Sequence, residues 1–134
     1  MFNYRFLEKE DYTLLQKWWK DWGWTPIERD FLPLDGLGGI LVFVNEKPVC
    51  AGFLYFTNSK VAWLEFIISD KNYKDKKQKT KAIDSMILKL EEVAKGNNVK
   101  YLYTTTNEGS LKRRYEKLGY FIGTKGTDEY LKKL

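Results

Sequence analysis

The apolar positions Leu14, Leu15, Trp18, Trp19 and Trp22 recur at i, i+1, i+4, i+5 and i+8, which is one face of a helix. A short extended aromatic stretch, 2–7, precedes them, and Gly23 is a natural stop. Pro26, Pro33, Gly36, Gly38 and Gly39 break residues 23–39 into a connector, with one short helical turn expected near 27–32. From Ile40 the period changes. The runs 40–44, 49–56 and 61–68 read as strands, separated by turns at 45–48 and 57–60, an antiparallel meander. The third run, VAWLEFII, is apolar nearly throughout, which predicts a central strand covered on both faces.

Ala82, Ile83, Met86, Ile87, Leu90, Val93 and Ala94 then return to helical spacing, closed by Gly96-Asn97-Asn98. Residues 99–104 predict a strand. Leu111, Tyr115 and Leu118 predict a short helix stopped by Gly119, and 120–122 with 129–131 predict a terminal hairpin. The connection from 61–68 to 99–104 crosses over the sheet, so strands four and five are expected to be parallel. The fold class is therefore α/β (α+β). A mixed, mostly antiparallel sheet of six to seven strands is expected, with helices on both faces.

The chain has 134 residues, one domain's worth, expected to span 1–134. It contains no histidine, which excludes a histidine nucleophile system, base or metal ligand. The single Cys50 cannot form an intramolecular disulfide or a zinc knuckle, so no metal is expected. No stretch approaches the ~20 apolar residues of a membrane span, and the N-terminus lacks the pattern of a secretory signal. A soluble cytoplasmic protein without a membrane partner is the expectation.

The net charge is +5, and residues 71–81, KNYKDKKQKTK, carry six lysines and one aspartate, which equals the whole excess. Lys112, Arg113, Arg114 and Lys117 form a second cluster. Such localised charge suits an anionic partner, whether a phosphate-bearing ligand, nucleic acid or an anionic membrane; equally, it suits a solvated helix end.

The element order, and the string Tyr115-Glu116-Lys117-Leu118-Gly119-Tyr120 after Asn107, resemble the GNAT superfamily of N-acetyltransferases. The resemblance covers the whole chain. Members commonly carry an asparagine after strand five and a helix ending in Tyr-x-Lys-x-Gly-Phe; here Gly119-Tyr120 stands at the Gly-Phe place. The superfamily's coenzyme motif, Arg/Gln-x-x-Gly-x-Gly/Ala, overlays on Lys79, Thr80, Lys81, Ala82, Ile83 and Asp84, with no glycine left. Short acetyltransferase-like proteins of bacteriophages are similar in having a Lys/Arg-rich, glycine-poor version of this turn. The resemblance implies an enzyme that transfers an acetyl or other acyl group from acetyl-coenzyme A to an amine on a small molecule or a protein. It implies coenzyme contacts from Ile67, Ile68, Ser69, Lys79, Thr80, Lys81, Ala82, Ile83, Asn107 and Tyr115. It also implies that Tyr115 returns a proton to the departing thiolate. A homodimer is left open.

Glu65 is the one carboxylate inside VAWLEFII, a place where burial would raise its pKa toward that of a useful base; the bland alternative is a structural pair with a lysine of a neighbouring strand. Trp18, Trp19 and Trp22 have core spacing, whereas Trp24 and Phe31 could shape an amine pocket. Two other functions compete. One is a non-catalytic relative of the same fold, supported by the missing glycines. The other is a basic nucleic-acid-binding module, although core periodicity of the aromatics counts against it.

Overall fold

The computed structural model describes residues 2–107 and 109–134. Its regular elements are β1 (Phe2–Phe6), α1 (Tyr12–Asp21), β2 (Gly39–Val44), β3 (Lys47–Phe56), β4 (Val61–Ser69), α2 (Lys76–Gly96), β5 (Tyr101–Tyr103) and α3 (Gly109–Lys117). Short 3-10 turns lie at Lys9–Asp11, Arg29–Phe31 and Pro33–Gly36. The sheet has the order β1-β2-β3-β4-β5. β1 to β4 are antiparallel neighbours, and β5 joins β4 in parallel as the crossover through α2 requires.

Period-two alternation divides the core. On one face Ile40, Val42, Val44, Leu54, Ala62 and Leu64 pack under α2, whose stripe of Ala82, Met86, Ile87, Leu90 and Ala94 is buried; Tyr115 of α3 joins them. On the other face Leu41, Ala51, Phe53 and Ile68 pack under α1 with Leu15, Trp18 and Trp19. Trp18 and Trp19 are therefore core, as their spacing predicts.

β4 carries one extra residue opposite β3. Ala51 pairs with Ile68 but Phe53 pairs with Glu65, and Phe66 sits in the left-handed region at φ 56°. This bulge keeps Trp63 and Glu65 on the same face as Ile68, although Glu65 and Ile68 are three residues apart. Opposite it lies Gly52, where a Cβ would approach the Met86 sulfur to 3.0 Å, so the missing side chain lets α2 pack against the sheet.

Several boundaries differ from expectation. The hairpin β2–β3 closes through Asn45 and Glu46 alone, both left-handed (φ 49° and 69°), so β3 starts at Lys47. α2 begins at Lys76 rather than near Ala82, because Asp75 caps it by accepting the Gln78 amide at 3.1 Å. Half of the lysine segment is thus helix. Among the described residues the sheet has five strands, not six or seven. Residues 120–131 form no hairpin: Phe121 and Tyr130 are each 90% exposed and find no apolar surface to cover. Nor is β4 covered on both faces throughout, since Trp63 and Glu65 are only half-buried.

Candidate active site

β5 pairs with β4 only at Val61–Tyr101, Ala62–Leu102 and Trp63–Tyr103. Beyond Trp63 no further β4–β5 pairing is formed among the described residues, and Glu65 of β4 faces the segment Thr104-Thr105 that follows β5. Glu65 and Tyr115 are both tied to this segment, Glu65 to Thr105 and Tyr115 to Thr104.

Glu65 projects from β4 on the α1 face. Its carboxylate accepts from the Thr105 amide at 2.9 Å and from the Thr105 hydroxyl at 3.0 Å, so it bridges to the segment after β5. No lysine or arginine pairs with it among the described residues. Burial raises its pKa, only partly countered by the two Thr105 bonds, and the negative charge of Glu129 raises it further. Such a carboxyl is a better proton acceptor near neutral pH than an ordinary glutamate.

Tyr115 enters from α3. It is 6% exposed, and its ring packs against Tyr120 with centroids 5.2 Å apart. Its phenol oxygen accepts a hydrogen bond from the Thr104 hydroxyl at 3.1 Å. Burial raises its pKa, and the Thr104 bond opposes the rise. The phenol is therefore protonated at neutral pH and its own hydrogen is free to be given elsewhere. α3 is fixed to α2 by Asp84, which accepts from Arg114 at 2.6 Å and from Lys117 at 2.9 Å. Tyr120 adds a bond to Glu91 at 2.9 Å.

A basic cleft of about 390 Å³ opens where the start of α2 meets the end of α3, lined by Lys76, Lys77, Thr80, Lys81, Asp84 and Lys117. Asp84, which falls on a glycine place of the superfamily motif, faces its two cations there, so its charge is neutralised toward a phosphate. Lys79, Thr80, Lys81, Ala82 and Ile83, which the resemblance assigns to the coenzyme, offer no free helix-start amides. These residues lie a turn inside α2, the Lys79 amide is bonded to the Asp75 carbonyl at 3.0 Å, and Ala82 is core. Lys79 is 9% exposed, donates to the Asp70 carbonyl at 3.2 Å and lies 5.6 Å from the Trp22 ring. Burial lowers its pKa, and Lys76 lowers it further.

At the end of β4, Ile68 packs under α1 and the Ser69 carbonyl accepts from the Trp22 indole at 2.8 Å. Ile67 is half-buried on the α2 side. Asn107 is exposed, one residue before the undescribed Glu108, and sits outside α3. Cys50 is buried, and burial pushes its thiol up to about 12, which keeps it unreactive. Neither periodicity nor the charge pattern singles out Thr104, Thr105 or Asp75. A run of three threonines after a strand and the spacing Asp75-x-x-Gln78 before a helix were the available signals.

Coenzyme A fits this chain by charge more than by backbone geometry. Lys76, Lys77, Lys81 and Lys117 suit its phosphates, while Asp75 already occupies the amide of Gln78 that a diphosphate would seek.

No protein-family model matches the chain, and no curated protein matches it in sequence. Solved structures do match. The ribosomal-protein-S18-alanine N-acetyltransferase of Escherichia coli is 14% identical with a TM-score of 0.66, over 92% of this chain and 80% of that one. An acetyltransferase of Trypanosoma brucei is 17% identical with a TM-score of 0.65, over 98% and 100%. The N-acetylglutamate synthase of Neisseria gonorrhoeae, solved with coenzyme A and L-arginine, is 10% identical with a TM-score of 0.73, over 92% of this chain and 28% of that one. With β4 bulged, β5 parallel to it and α3 following β5, the chain has the fold of the GNAT N-acetyltransferases.

Proposed function

We propose that this protein is an N-acyltransferase that moves an acetyl or other acyl group from acyl-coenzyme A to a primary amine. The observation that carries the reading is that Glu65, a carboxyl of raised pKa, and Tyr115, a protonated phenol, bond to the adjacent residues Thr105 and Thr104 where the β4–β5 ladder ends. Bound coenzyme would supply a thioester carbonyl. Glu65 takes a proton from the incoming ammonium, directly or through water, and frees the nitrogen lone pair. The new C–N bond forms as the C–S bond breaks, and Tyr115 gives its proton to the departing sulfur. Thr104, donating to the same phenol oxygen, steadies the negative charge that remains there. The half-buried setting strengthens both proton transfers by thinning the solvent around them. Lys76, Lys77, Lys81 and Lys117 would hold the phosphates.

A non-catalytic relative of the fold is the second reading, favoured by the Asp75 cap. Calorimetric titration of acetyl-coenzyme A, followed by thiol release with a panel of amines, separates the two. Binding with amine-dependent thiol release supports the transferase; absence of both supports the alternative.

A further inference from the structure

The α1 face of the sheet is not covered to its edge. α1 buries Leu41, Ala51, Phe53 and Ile68 and stops short of the corner where β3, β4 and β5 meet. Register places Tyr55 opposite Trp63 and Tyr103 beside it, so their three rings share one face. Trp63 and Tyr103 meet edge to face at 4.9 Å, and Tyr55 leans on Phe66 at 6.2 Å. The Tyr55 hydroxyl donates to the Phe31 carbonyl at 2.6 Å, which anchors the connector turn as a wall. Tyr103 is 52% exposed and Phe31 45%. Glu65, two residues after Trp63 on the same face, stands at the inner margin of this floor.

The charge here has the sign opposite to that of the lysine cleft. The Glu129 charge acts on Glu65, Asp30 adjoins Phe31, and no cation pairs with Glu65 among the described residues. An exposed aromatic floor beside an unpaired carboxylate attracts a cation through ring faces and Coulomb force together. Of the floor residues themselves, Glu65 alone carries a charge, so the floor holds one ammonium and seats the rest of the ligand on rings. The edge of β5 is only three residues long, too short to add an extended peptide as a new strand.

We infer that this corner, formed by Tyr55, Trp63, Tyr103, Phe31 and Glu65, is the acceptor subsite and takes a small primary amine carried on one aromatic or bulky apolar body. Its assignment as the acceptor end rests on the N-acyltransferase reading; the binding itself does not.

The test is calorimetric titration of the whole protein without coenzyme, using phenethylamine, 2-phenylethanol and spermidine as probes. Phenethylamine is expected to bind about tenfold more tightly than either of the others. Trp63→Leu and Tyr103→Leu should each weaken it about fivefold. Glu65→Gln should remove the preference over 2-phenylethanol. Because Glu65 also holds Thr105, the two aromatic variants keep the test decisive should Glu65→Gln fail to fold. Spermidine binding as tightly as phenethylamine, or phenethylamine affinity unmoved by both aromatic variants, overturns the subsite. The transferase reading fails separately. If phenethylamine binds with the expected pattern but acetyl-coenzyme A does not bind, the subsite stands and the transferase falls. If acetyl-coenzyme A binds and spermidine is acetylated while phenethylamine neither binds nor reacts, the subsite falls and the transferase stands.

Discussion

Thr104 donates its hydroxyl hydrogen to the Tyr115 phenol oxygen over 3.1 Å. The donor directly follows β5 and the acceptor is on α3, so one bond orients the phenol and leaves its hydrogen directed elsewhere. The bond favours the phenolate and so lowers a pKa that burial raises. Thr104→Val keeps the shape and removes the donor. Tyr115 should then hold its proton to higher pH, and the alkaline limb of the pH–rate profile should move upward. Turnover at neutral pH should fall about fivefold, the worth of one ordinary hydrogen bond. An unmoved alkaline limb would show that the bond is only structural.

Tyr115→Phe tests the phenol itself. The ring is buried against Tyr120, so packing survives and the lost bond to Thr104 should cost about 1 kcal/mol of stability. Turnover should drop by about 10²-fold or more while coenzyme affinity stays put. Undiminished turnover would give the proton to water and leave Tyr115 a packing residue.

In the proposed mechanism Glu65 sets the other limb. Its raised pKa places the rise of kcat/KM with pH above the range of an ordinary glutamate, about 4.3. Glu65→Gln should abolish that limb and lower the rate most at neutral pH. A variant that keeps the same limb would exclude Glu65 as the titrating base.

Much of this arrangement was legible because it depends on periodicity. Helical spacing identified the buried stripes of α1 and α2, and a single carboxylate in VAWLEFII singled out Glu65. The bridge from Glu65 was not legible. Its partner is Thr105, 40 residues away, rather than a lysine of the next strand, and the strand bulge at Phe66 that aims the two together leaves no compositional mark. The lysine run misled in one respect. Lys79 looks like its neighbours in sequence but lies under Trp22 because the Asp75 cap starts α2 early and turns position 79 inward. The terminal hairpin failed for the opposite reason: Tyr120–Ile122 has strand composition, yet among the described residues no strand pairs with it once α3 ends at Lys117.

Asp84 ties α3 to α2 through two cations. Burial alone would raise its pKa, but the Lys117 and Arg114 bonds outweigh it and hold the carboxyl below the usual range. A depressed carboxylate contributes stability above its unfolded pKa, about 3.9, and loses it as pH falls through the lower folded value. Asp84→Asn should therefore destabilise the protein at pH 7 by about 1–2 kcal/mol, with the difference from the parent shrinking in strong acid. The check is Tm against pH for both proteins. A difference that is constant with pH would mean that the amide merely packs badly.

Asp75 and the lysine cleft make opposite predictions for the same titration. Asp75 satisfies the Gln78 amide, but its charge stands where a diphosphate would approach the start of α2. Asp75→Ser preserves a capping oxygen and removes the charge, so stability should change by only a few tenths of a kcal/mol while coenzyme A affinity rises severalfold. Lys77→Gln with Lys81→Gln should do the reverse, because both side chains are exposed and line the cleft. That loss should shrink as salt rises from about 0.05 to 0.5 M, since exposed charges are screened over distances that fall below 10 Å. Lys79→Gln is the informative control. Its ammonium is bound to the Asp70 carbonyl beneath Trp22, so it should lower Tm with little effect on the salt dependence of binding. If Lys79 moves the salt slope and the Lys77 and Lys81 pair does not, the phosphates lie on the Trp22 side of α2 rather than between α2 and α3.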